Sequence, residues 1–163
     1  DRDAMQKLQP GANGILALHS PSTGIISPYG LTIAFAENAH ANGTDFFFGH
    51  TVAGIDRADG IFRISTDEGK KLTARSVINC AGVHSASVAA LAGIGGFRIY
   101  PCRGEYSILD RRLEDGLSIL VYPAPHAHGA GLGVHLTRTV DGNILIGTSN
   151  EYRDDGEDYA STR

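Results

Sequence analysis

Two Asp-Gly pairs, Asp59-Gly60 and Asp141-Gly142, each stand between short apolar runs. Aspartate and glycine tolerate the positive φ angles of a two-residue turn, so each pair predicts an antiparallel hairpin. The first would join residues 51–58 to 61–65, with 72–74 completing a small meander, and the second would join 133–140 to 143–147. Two hairpins far apart in sequence commit much of the chain to antiparallel sheet, whatever helices are added.

The clearest helix signal lies upstream of both. Ser27 can cap, Pro28 suits the first helical position, Leu31, Ala34, Phe35 and Ala39 form an apolar stripe, and Gly43 stands where the helix should stop. Shorter helical runs occupy 3–8 and 86–91. Residues 14–18, 25–26 and 45–48 read as short strands, and 75–80 as a strand covered on both faces, being apolar at Val77 and Ile78. From Phe97 the texture changes: Ile99, 106–109, 118–122 and the second hairpin read as strands with no long helix between them. The order predicts an α/β portion followed by a mostly antiparallel sheet.

With 163 residues, 42% apolar and 20% charged, the chain can bury a core of its own. A net charge of −4 without a clustered basic face argues against nucleic acid or an anionic membrane surface as the main partner. Cys80 and Cys102 lie in apolar, strand-like runs, which predicts two buried thiols and a reducing, cytoplasmic compartment. The sequence opens at Asp1 without methionine and ends in a polar stretch, which suggests a piece of a longer chain.

Few stretches carry recognisable chemistry. His126-Ala127-His128 would set two imidazoles on one face of an extended segment, with His135 beyond. No carboxylate or thiol follows at 130–132 to complete a coordination shell, so no metal site is expected, and a cupin-like metal enzyme would need stoichiometric bound metal. The glycine-rich runs 93–96 and 129–133 lack the GxGxxG spacing, and neither a Gly-x-Ser-x-Gly elbow nor a P-loop occurs. More telling is Val77 to Ser85, VINCAGVHS. The small residues Cys80, Ala81 and Gly82 at a strand's end would let a ligand approach the backbone, and a helix start near Ser85 would offer unpaired N–H groups.

Four motifs follow one another along the chain. They are Pro21-Ser22-Thr23-Gly24-Ile25-Ile26-Ser27-Pro28-Tyr29-Gly30-Leu31; Val77-Ile78-Asn79-Cys80-Ala81-Gly82; Pro101-Cys102-Arg103-Gly104-Glu105-Tyr106; and Gly133-Val134-His135-Leu136-Thr137 with Asp141-Gly142-Asn143-Ile144-Leu145-Ile146-Gly147-Thr148. Together they resemble the FAD-dependent oxidoreductases of the D-amino-acid-oxidase-like superfamily, in particular the FAD-dependent glycerol-3-phosphate dehydrogenase and L-2-hydroxyglutarate oxidase branch.

The resemblance implies a fold of the α+β to α/β class: a fragment of an FAD/NAD(P)-binding-type α/β domain joined to a mostly antiparallel substrate-domain sheet. Along the chain, 1–20 would be a substrate-domain strand and lead-in, 21–96 a partial FAD-binding domain, 97–150 the substrate-binding sheet and 151–163 a connecting segment. It places Val52 at the adenine, Cys80, Ala81 and Gly82 along the FAD ribose and pyrophosphate with Ser85 beyond, Gly104 at the crossing into the substrate domain, and Gly147 and Thr148 at the return toward the flavin. It implies oxidation of a small anionic hydroxy compound, such as glycerol 3-phosphate or a 2-hydroxy acid, by hydride transfer to FAD. Arg103 and Arg138 are then candidates for the substrate's anionic group, Tyr106 for a hydroxyl donor and His135 for the general base.

The family's GxGxxG segment does not occur in this sequence, so the chain alone is expected to carry little or no FAD and to be inactive. The electron acceptor stays open, as does peripheral membrane or partner-subunit association of the parent. A reading from another class, a non-catalytic binding or interaction domain, also fits the pattern.

Overall fold

The computed structural model describes residues 1–124 and 133–161, without the side chains of 114 and 115. His126 and His128 lie outside the described residues. Two compact units form, each discontinuous in sequence: Asp1–Asn42 with Arg103–Glu151, and Gly43–Cys102 with Tyr152–Ala160. Among the described residues no helix is long and apolar enough to cross a membrane, and no group of histidine, cysteine, aspartate or glutamate is suited to a metal ion.

In the first unit, helix α1 (Arg2–Leu8) is capped by the Asp1 carboxylate, which accepts from Ala4 N. Helix α2 (Pro28–Ala41) forms as its local signals require: the Ser27 hydroxyl accepts from Gly30 N at 3.2 Å, and Gly43 ends the turn with φ +88°. None of its 14 residues is buried, so the apolar stripe at Leu31, Ala34, Phe35 and Ala39 meets no core.

The sheet of this unit contains β5 (Tyr106–Leu109), β6 (His135–Arg138) and β7 (Ile144–Gly147), antiparallel in the order β5-β7-β6. Gly142, at φ +87°, makes the turn between β6 and β7. Leu117 and Ile144 are the buried apolar side chains here, joined by the amide of Gln9. Its Nε2 donates to Pro10 O and Gly116 O, and its Oε1 accepts from Ser118 N and Ile119 N. That satisfies the buried group completely and ties α1 to the Leu117 segment.

The second unit holds the meander β1 (Val52–Ala58), β2 (Ile61–Thr66) and β3 (Lys71–Ala74). Asp59 and Gly60 both take positive φ, 54° and 77°, closing the hairpin with Ala58 opposite Ile61. Helix α3 (Ser85–Leu91) packs on β1, where Ile55 and Ala89 are buried. The two-residue strands β4 (Cys102–Arg103) and β8 (Glu151–Tyr152) pair with each other.

Several sequence expectations are overturned. Residues 14–18, 25–26, 45–48 and 75–80 and Ile99 form no strand, and 118–122 shrinks to a single bridge, Val121 to Leu136. A strand requires a neighbour whose N–H and C=O groups complete its ladder, and apolar composition alone does not supply one. The covered strand expected at Val77 and Ile78 is instead open, with Ile78 86% exposed. Cys80 and Cys102 are exposed, not buried, because the segments that carry them are not packed on both faces.

Candidate functional site

In the first unit the register of the sheet assembles a row of three residues. Gly147 on the central strand faces Tyr106 on β5 and His135 on β6. Residues directly opposite in antiparallel strands share a face, and the glycine puts nothing between its neighbours. The Tyr106 ring uses the vacated space: a Cβ on Gly147 would stand 2.6 Å from Tyr106 Cδ1 and 2.8 Å from Glu105 O. The two rings meet edge-on, with 6.0 Å between centroids and planes 79° apart.

His135 is only 6% exposed. Its Nδ1 lies 3.0 Å from Gly133 O. A carbonyl oxygen can only accept, so Nδ1 carries a proton, and in the neutral ring Nε2 holds the lone pair. Nε2 makes no hydrogen bond among the described residues and is not among the fully buried unpartnered atoms. Tyr122, which no sequence motif singled out, stacks on the other side of the imidazole at 4.4 Å and 26°.

The chain next to this row is tightly laced. Glu105 N donates to the Ser149 hydroxyl at 2.9 Å, and Ser149 N donates to Glu105 O at 3.1 Å. Thr148 Oγ1 donates to Ser149 O at 2.7 Å and crosses so close to Gly104 that a Cβ there would overlap it. Gly104, Gly147 and Thr148 are thus one neighbourhood, in which both glycines are needed for close approach.

The two guanidinium candidates stand elsewhere. Arg103 is pinned by carboxylates, with Nη2 2.8 Å from Glu151 Oε2 and Nε 3.6 Å from Glu105 Oε1. Strand alternation puts His135 and Thr137 on one face of β6 and Leu136 and Arg138 on the other. Arg138 donates from Nη1 to Leu117 O at 3.3 Å and borders a cavity of about 480 Å³ with Met5, Leu8, Ile119 and Tyr122. The structure therefore brings Tyr106 to His135 directly, but Arg138 only by way of Tyr122, which touches both the cavity and the imidazole.

In the second unit the stretch Asn79 to Ser85 is a self-contained turn. The Asn79 side chain accepts from Ala81 N at 3.1 Å and donates to Ser85 O at 2.8 Å, bracing both ends. Gly82 takes φ +56°, and the Ser85 hydroxyl donates back to Gly82 O at 2.7 Å. Ser85 is thus the first residue of α3, whose N-cap is His84 without a side-chain bond. Cys80 and Gly82 are exposed, and a Cβ on Gly82 would meet no atom within 4 Å. The surface over these small residues is open. Val52, half-buried at the start of β1, pairs with Thr66.

The model of the FAD dependent oxidoreductase family matches residues 1–163. A glycerol 3-phosphate dehydrogenase of Caloramator mitchellensis is 36% identical over 83% of this chain and 28% of its own length. The L-2-hydroxyglutarate dehydrogenase of Escherichia coli K12 is 31% identical over 89% of this chain and 35% of its own. A dithionite-reduced L-alpha-glycerophosphate oxidase from Mycoplasma pneumoniae with FAD bound superposes with a TM-score of 0.69 at 25% identity, over 80% of this chain and 35% of that one. The chain thus spans about a third of the length of these relatives. Its mixed helices and antiparallel sheets, similar in fold to that oxidase, and a family match along its full length make this chain a member of the FAD dependent oxidoreductase family.

Proposed function

We propose that this chain is part of a flavoenzyme that oxidises a small anionic hydroxy compound of the glycerol 3-phosphate or L-2-hydroxyglutarate kind. The observation that carries the reading is the row Tyr106, Gly147, His135, which sets an imidazole whose Nε2 makes no hydrogen bond among the described residues beside a phenol in a chain of this family.

His135 takes the substrate hydroxyl proton at Nε2 while Nδ1 stays bonded to Gly133 O, an arrangement suited to a general base. Tyr106 donates its hydroxyl to the substrate. Neither guanidinium shares the His135 face: Arg138 borders the cavity on the other face of β6, and the charge of Arg103 is already matched by Glu105 and Glu151, which suits it to holding the Gly104 corner. The open turn at Cys80, Ala81 and Gly82 fits a dinucleotide, and these residues would hold the FAD ribose and pyrophosphate, with Val52 at the adenine and Ser85 beyond. Gly104, Gly147 and Thr148 would lie along the flavin. FAD, when bound, supplies the two-electron acceptor that no side chain offers.

The test is the visible spectrum of the full-length protein. Flavin absorbance that bleaches anaerobically with glycerol 3-phosphate or L-2-hydroxyglutarate is the expected result. A protein without flavin would favour the non-catalytic binding domain instead.

A further inference from the structure

We infer that Tyr122 is a positioning residue for His135, fixing the plane of the imidazole so that Nε2 faces the substrate hydroxyl; this rests on the reading of His135 as the base. A histidine on a strand has a broad, roughly two-fold χ2 preference, so its ring plane must be set from outside the strand. Tyr122 covers one ring face at 4.4 Å and 26°, and Tyr106 abuts the ring edge-on at 6.0 Å and 79°. The bond from Nδ1 to Gly133 O then selects one of the two flipped orientations, the one that leaves Nε2 without a hydrogen bond among the described residues.

Tyr122 is itself anchored. Val121 N and Leu136 O are 3.5 Å apart, and Leu136 N and Val121 O 3.4 Å apart, which fixes the main chain before it. Its hydroxyl reaches Thr137 Oγ1 at 3.5 Å. Pro123 lies over Gly133, where a Cβ would stand 2.8 Å from Pro123 Cγ. Residues 121–123 are thus clipped to the strand that carries His135, and the tyrosine ring is held against the imidazole. The stacking face does this work, so an aromatic ring without the hydroxyl suffices.

The experiment compares Tyr122→Leu, Tyr122→Phe, His135→Asn and the Leu/Asn double variant in the full-length flavoenzyme, with melting temperatures alongside. Tyr122 is 49% exposed, so truncation should leave the protein folded; should Tyr122→Leu not fold, Tyr122→Gln makes the same comparison. Expected are a kcat about tenfold lower for Tyr122→Leu with KM nearly constant, recovery of most of that loss in Tyr122→Phe, and no further loss from Leu in the His135→Asn background. Equal losses in both backgrounds, or a Tyr122→Phe as poor as Tyr122→Leu, would overturn the inference while leaving the base intact. An unimpaired His135→Asn would remove the base role and the inference with it.

Discussion

Gly147 shows how one missing side chain can define a site. Of the groups a Cβ would strike there, the Tyr106 ring can swing away, but the Glu105 carbonyl belongs to the backbone, which Ser149 holds in place. Gly147→Ala is therefore expected to lower stability by about 1–3 kcal/mol, as overpacking does, and to separate Tyr106 from His135. A thermal melt and a turnover assay on the full-length protein check both parts, and an unchanged melting temperature would show that the corner yields without strain. At His135 the expectation concerns chemistry. Asparagine keeps a polar group of similar reach but cannot carry a proton at neutral pH, so kcat should fall about 100-fold or more while KM changes little. Steady-state kinetics with the best substrate decide it, and a wild-type kcat would end the base assignment.

The hairpin β1–β2 and helix α2 were legible in advance because their chemistry is local. Asp59-Gly60, Ser27 with Pro28, and Gly43 each act on the residues beside them, and each does what its type prescribes. Residues 45–48 and 75–80 were not legible in the same way, since a strand exists only where a distant segment supplies the other half of its hydrogen bonds. The candidate site divides along the same line. His135, Tyr106 and Gly147 could be named from their motifs, but their convergence depends on register, and Tyr122 depends on a bridge to Leu136 that no spacing announces.

Two further expectations belong to these elements. Replacing Gln9 with Leu strips Gly116 O, Ser118 N and Ile119 N of their buried partner, so α1 should loosen and stability fall by about 1–3 kcal/mol in a urea titration. Beside the meander, bonds from Thr51 hold the Asp67 carboxyl below the usual aspartate range. A lowered folded pKa stabilises above the unfolded value and is lost as pH falls through the folded one. Asp67→Asn should then lower the urea midpoint slightly at pH 7 and make no difference well below the usual aspartate range. A gap of constant size across that range would show that the carboxylate's charge is irrelevant.

The two units raise a question that neither the row at Gly147 nor the turn at Gly82 answers alone, namely whether the open turn is simply a turn or the floor of a cofactor site. Both cases tolerate small residues, but only the second requires them. Gly82 is unsuitable for the test because its φ of +56° penalises any side chain whatever lies above it. Cys80 is suitable, being exposed and free of a disulfide. In a bare turn Cys80→Trp is a surface change, within about 0.5 kcal/mol of neutral, and leaves the flavin content of the full-length protein as it was. Beneath FAD the indole occupies the cofactor's volume, and each loss of about 1.4 kcal/mol weakens binding tenfold. The expected outcome is a fall in flavin absorbance per protein of about tenfold or more, with the far-ultraviolet circular dichroism of the flavin-free protein unaltered. Full flavin loading in Cys80→Trp would assign the small residues at 80–82 to the tightness of the turn and move the dinucleotide elsewhere.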